Sequence, residues 1–141
     1  GKEFEDAISP TIRTRSTYFS ENFEPLYEQG KLVLLDGFST ILPFISVFPV
    51  DGHINAMNIT KIKTGDCNVY FTADLIGIKE QVHPLWNSAY DYYPLKSEEN
   101  KVKLLDTCVD EDALIFMPHE TGGDFYRVEK KDYYDYRLLK L

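Results

Sequence analysis

From Lys31 onward the sequence is cut again and again. Short apolar, β-branched and aromatic runs alternate with Gly, Pro, Asp and Asn at intervals of roughly eight to fifteen residues. A chain punctuated this often has little room for long helices: each run has the length of a strand and each interruption carries turn chemistry. "KLVLLDG" reads as a strand closed by Asp36-Gly37. "ILPFISVFPV" reads as a second strand, confined by Pro43 and Pro49 to an edge or a bulge. "INAMNITKI" and "CNVYF", joined through Thr64-Gly65-Asp66, have the alternation and turn residues of a hairpin. The charged turn "SEEN" precedes a strand "KVKLLDTCV", and the acidic turn "DEDA" leads to "LIFMP". "HETGGD" then connects to "FYRVEK", and "YYDYRLLKL" ends the chain.

Helical signals are weaker. A short helix is expected at 22–29, with Pro25 in its first turn and Gly30 just past its end. Thr72 is placed to cap another, ending at His83-Pro84. Residues 1–20 show no helical stripe and read as an extended arm or an edge strand. The expected fold is therefore α+β: residues 1–141 form a single domain dominated by a mostly antiparallel sheet, drawn toward a barrel, with one or two short helices. Its 141 residues suffice for a hydrophobic core without metals or disulfides.

Charge narrows the function classes. There are 15 basic and 23 acidic residues, a net charge of −8, and no basic stretch denser than Lys61-Ile62-Lys63, so direct nucleic-acid binding is not expected. The longest apolar run, Ile41 to Val50, falls short of the roughly 20 residues that span a bilayer. Cys67 and Cys108 make no disulfide framework and have no metal-ligand spacing, and no leader is visible at the N-terminus, so a cytoplasmic location is expected.

Several constellations bear on chemistry. His119, Glu120 and Asp124 lie within "HETGGD", where they suit acid–base work or part of a metal site; the plain alternative is a loop in which Gly122 and Gly123 supply positive φ. The run Asp106 to Asp112 lacks the glycine and distal glutamate of a calcium loop and reads as a solvated turn. Neither cysteine has a histidine close in sequence to act as its base, although His53 is a spatial candidate. Trp86 suits either the core or an interface anchor. No catalytic residue, cofactor or metal ligand is assigned on this basis.

The most distinctive pattern is a pair of acidic tyrosine clusters: Tyr90, Asp91, Tyr92 and Tyr93, then Asp132, Tyr133, Tyr134, Asp135 and Tyr136. In strands each cluster would send tyrosines to both sheet faces. With Asp110, Glu111 and Asp112 they suggest a recognition face for a basic protein, because tyrosine gives rigid contact area and carboxylates pair with Lys or Arg. The leading expectation is thus a non-enzymatic acidic binding protein, monomeric or dimeric, that docks on or neutralises a basic partner protein, such as a toxin or nuclease, in the manner of an immunity protein or antitoxin. The alternatives are a small-ligand-binding or hydrolytic β-rich domain with a pocket near His119, and a structural or viral assembly subunit.

Overall fold

The computed structural model describes residues 1–141. They form two compact units, Gly1–Gly37 and Phe38–Leu141. In the first, helix α1 (Lys2–Ile8) has Glu3 and Glu5 in its first turn, where carboxylates complement the helix dipole. Helix α2 (Glu24–Glu28) occupies the expected place, with Pro25 in its first turn and Gly30 at φ +65° beyond it. The two helices meet through rings, Phe4 lying 5.7 Å from Phe23 and 4.7 Å from Tyr27. The expected arm or edge strand over 1–20 is not formed, since α1 opens that segment and no strand follows it. "KLVLLDG" also forms no strand; Val33 is 78% exposed, and an apolar run becomes a strand only where a neighbouring ladder accepts it.

The second unit is a seven-stranded sheet: β1 (Ser39–Leu42), β2 (Ile45–Val50), β3 (Met57–Lys63), β4 (Asn68–Phe71), β5 (Leu114–Phe116), β6 (Phe125–Asp132) and β7 (Asp135–Lys140). The strands lie in sequence order, and every neighbouring pair is antiparallel except β4 and β5. The expected β3–β4 hairpin is present, with Lys61 opposite Tyr70. The sheet is open, with β1 and β7 at its edges, so the barrel expectation is corrected. Pro43 falls in the turn between β1 and β2, where its missing N–H leaves no gap in the ladder.

The parallel β4–β5 pair needs a crossover, and helix α3 (Pro94–Asp110) supplies it. This corrects the strand expected over "KVKLLDTCV" and the turn expected at "SEEN". Ser97, Lys101, Leu104, Leu105 and Cys108 are buried, spaced by three or four residues along one helical stripe. Two of those positions are polar, which conceals the stripe from a hydrophobicity pattern. Leu104, Leu105 and Cys108 join Ile59, Tyr70, Ile115, Tyr126, Val128 and Tyr136 of the sheet in one core. Burial pushes the Cys108 thiol up to about 12, the mark of an inert core cysteine. No helix is long and apolar enough to cross a membrane.

Candidate active site at the carboxyl ends of the parallel strands

Topology brings three polar side chains, His53, Asp74 and His119, to one edge of the sheet. Phe71 of β4 pairs with Phe116 of β5, so Asp74 and His119, each three residues further on, leave the two parallel strands at the same level. The β2–β3 connection ends at this edge too, because β3 runs antiparallel to β4, and it carries His53. In α/β sheets the carboxyl ends of parallel strands are where ligands settle.

Local geometry fixes each side chain. The peptide at Gly52 takes φ +156° and lies against α3: a Cβ there would sit 2.6 Å from Ser97 Oγ and 3.0 Å from Ser97 Cα. The amides of Tyr92 and Tyr93 donate to the carbonyls of His53 and Gly52 at 3.1 and 2.9 Å. Asp74 follows Ala73, a non-glycine residue at φ +46°, a conformation costing on the order of 1 kcal/mol that structures retain chiefly at functional positions. Buried Thr72 holds this turn, its Oγ1 donating to the Ile76 carbonyl at 2.6 Å. The His119 amide donates to Gly77 at 2.9 Å, and a Cβ on Gly77 would meet the His119 ring at 3.0 Å.

The resulting array is a row. His53 Nδ1 lies 2.9 Å from Asp91 Oδ1, and Asp91 Oδ2 accepts from Ser97 Oγ at 2.6 Å. A carboxylate only accepts, so Nδ1 carries the proton and Nε2 faces Asp74 Oδ2 at 3.6 Å. His119 Nε2 lies 2.7 Å from the other Asp74 oxygen. Two imidazoles thus converge on one carboxylate. The Asp91 hydrogen bond, together with the nearby Asp74 charge, raises the His53 pKa above 6.5 against the opposing effect of burial. Imidazole nitrogens and a carboxylate are the donors that suit zinc and related transition metals, and a ligand histidine whose far nitrogen is tied to a carboxylate is the usual supporting arrangement. The trio does not close a cage by itself: no group of three or more His, Cys, Asp or Glu is arranged to hold a metal ion. It fits as part of a ligand set.

The sequence-singled residues scatter by comparison. In "HETGGD", His119 goes to Asp74, Glu120 to the Lys79 amide at 2.9 Å and Asp124 to Lys140 at 2.6 Å, while Gly122 and Gly123 do take positive φ. The first tyrosine cluster lies in the loop before α3 and not on a strand. Its Asp91 is buried and its Tyr90 is exposed. In the second cluster Tyr133 and Tyr134 form the β6–β7 turn, and Tyr136 is buried with its hydroxyl on Asp106. Asp110 and Glu111 end α3, where Glu111 binds Lys61, Asn68 and Tyr70 and Asp112 binds Arg127. From Pro94 to Asp106 the helix rises about 18 Å at 1.5 Å per residue, so the clusters flank opposite ends of α3 and do not compose one strand-borne face. Asp74, Ser97 and Lys101 drew no functional notice in the sequence, and His53 drew it only as a base for a cysteine. The one available signal was Gly52 before His53 and Gly77 after Asp74, glycines that admit close neighbours.

No protein-family model and no curated protein sequence matches the chain. Solved structures do match in fold. A probable metal-dependent hydrolase from Staphylococcus aureus superposes with a TM-score of 0.83 at 23% identity, over 98% of this chain and 50% of its own. AidC, a dizinc quorum-quenching lactonase, gives 0.74 at 20% identity, over 97% and 51%. AbOPH, a hydrolase in the beta lactamase superfamily, gives 0.73 at 16%, over 97% and 50%. The chain therefore has the fold of about half of each of these hydrolases. That finding overturns the expectation of a non-enzymatic immunity protein or toxin inhibitor: the proteins sharing this architecture are hydrolases.

Proposed function

We propose that Phe38–Leu141 is the part of a metal-dependent hydrolase that supplies His53, Asp74 and His119 to its metal centre. The observation that carries this reading is the convergence of two imidazoles on a single carboxylate at the carboxyl ends of β4 and β5, in a fold shared with metal-dependent hydrolases. His53 Nε2, His119 Nε2 and the Asp74 carboxylate are the metal-facing groups. Asp91 keeps the His53 proton on Nδ1 and leaves Nε2 free to donate its lone pair. A bound divalent metal supplies Lewis acidity and a water of lowered pKa. The substrate class we assign is an ester or lactone, following the lactonase among the structural neighbours. The chain spans about half of each neighbour's length.

The test is zinc titration of the wild type and of His53→Ala, Asp74→Ala and His119→Ala, followed by calorimetry and thermal melting. Zinc at about 100 times its dissociation constant should stabilise the wild type by about 2.7 kcal/mol, and each variant should lose most of that gain. A wild type indifferent to millimolar zinc, or variants that bind it equally well, would overturn the reading.

A further inference from the structure

α3 carries a fully buried lysine that the ligand set does not use. Lys101 is 1% exposed and sits one turn after Ser97 on the same helical face. Its ammonium donates to the Trp86 carbonyl at 2.7 Å and to Asn87 Oδ1 at 2.9 Å. Both acceptors are neutral. Asn87 in turn uses its amide to reach the Pro94 carbonyl at 3.3 Å and Glu98 Oε1 at 3.1 Å. Ser97 grips the same loop further along, at Asp91. The segment from Trp86 to Asp91 is therefore fastened to α3 at both ends, by the two polar positions of an otherwise apolar buried stripe.

A buried ammonium is costly, and an apolar residue of similar volume commonly serves stability as well or better. Lysine at this position is better explained by what it holds in place. Without it, the Trp86 carbonyl and Asn87 Oδ1 lose their shared donor, and the loop keeps only the Asn87 amide contacts to Pro94 and Glu98 and its hold at Asp91, whose carboxylate must also hold the His53 ring. The charges that act on Lys101 are those of Asp91 and Glu98, both of which favour the ammonium, while burial disfavours it.

We propose that Lys101 is a positioning residue of the site: its ammonium clamps the Trp86 carbonyl and the Asn87 side chain so that Asp91 is presented to His53 Nδ1. The role in catalysis rests on the hydrolase reading above, but the geometry is testable without any metal. The experiment follows the His53 Nδ1–H proton by NMR, comparing its solvent exchange with that of the Leu105 amide in the same sample. Wild type, Lys101→Met, Asn87→Ala and the core control Leu104→Ala are compared. Lys101→Met should shift the Nδ1–H signal upfield and speed its exchange at least tenfold relative to Leu105, and Asn87→Ala should do so severalfold. Leu104→Ala should move both protons together. If Lys101→Met does not fold, the Asn87→Ala result decides alone. Unchanged relative exchange in both clamp variants, or an equal relative effect in Leu104→Ala, overturns the proposal. Failure of zinc to bind the wild type would refute the hydrolase reading and leave this outcome untouched.

Discussion

Replacing Gly52 with alanine tests how the site is built, because the methyl group has nowhere to go. It would lie 2.6 Å from Ser97 Oγ, 3.0 Å from Ser97 Cα and 3.2 Å from Ser97 N. The hydroxyl can rotate away, but Cα and N belong to α3, so the helix start or the His53 loop must move. Overpacking of this kind costs about 1–3 kcal/mol, and the φ of +156° adds strain for an L side chain. Any shift of Ser97 also strains its 2.6 Å bond to the Asp91 carboxylate, and a bond to a charged group is worth about 1.5–3 kcal/mol. These contributions overlap, so we expect a loss of about 3 kcal/mol, which for a chain of this size lowers the melting temperature by roughly 10 °C. Gly30→Ala is the control: it has φ +65° but nothing within 4 Å, so it carries strain alone, about 1 kcal/mol. Urea unfolding of both variants isolates the steric part. A difference between them below about 1 kcal/mol would mean that α3 does not seat against Gly52 as described.

Three further outcomes follow from the same structure. Lys101 is lowered by burial from 10.5 to about 8, so above pH 8 the unfolded chain binds more protons and unfolding free energy should rise with pH, by up to roughly 3 kcal/mol if no other group titrated. Cys108, raised by burial from 9.0 to about 12, acts oppositely from pH 9 upward, so the rise should be confined to about pH 8–9; urea midpoints across that range would show it, and Lys101→Met should lack it. Tyr134 holds φ +134° in the β6–β7 turn, and Tyr134→Gly should stabilise by about 1 kcal/mol as strain relief outweighs the added chain entropy; a lower urea midpoint would contradict this. In the native protein a thiol reagent should modify Cys67 readily and Cys108 only on unfolding, so rapid labelling of two thiols would refute the burial of Cys108.

The hairpin of β3 and β4 and the strands β5 to β7 were legible because their evidence is local: alternation, β-branched residues and turn chemistry act over a few neighbours. α2 was legible for the same reason, through Pro25 and Gly30. α3 was not, because Ser97 and Lys101 occupy buried positions that a hydrophobic pattern counts as solvent-facing. Losing α3 also lost the parallel β4–β5 pair, since a parallel neighbour exists only where a crossover brings the chain back.

The acidic tyrosine clusters show the boundary most clearly. Sequence determined their composition, and with it the absence of any dense basic stretch suited to phosphates. Tertiary structure decided their roles: Asp91 turned inward to hold His53, Tyr136 entered the core, and the amides of Tyr92 and Tyr93 fastened the His53 loop. It also decided which histidines meet at Asp74. His53, Asp74 and His119 are separated by 21 and 45 residues, 74 − 53 and 119 − 74, so no spacing rule joins them. They meet because β3 antiparallel to β4, and β4 parallel to β5, place one loop and two strand ends at the same edge. Local preferences mark the β3–β4 hairpin and the strand segments β5 to β7, whereas the convergence of distant side chains depends on strand order and direction, which only the packed sheet and its crossover helix establish.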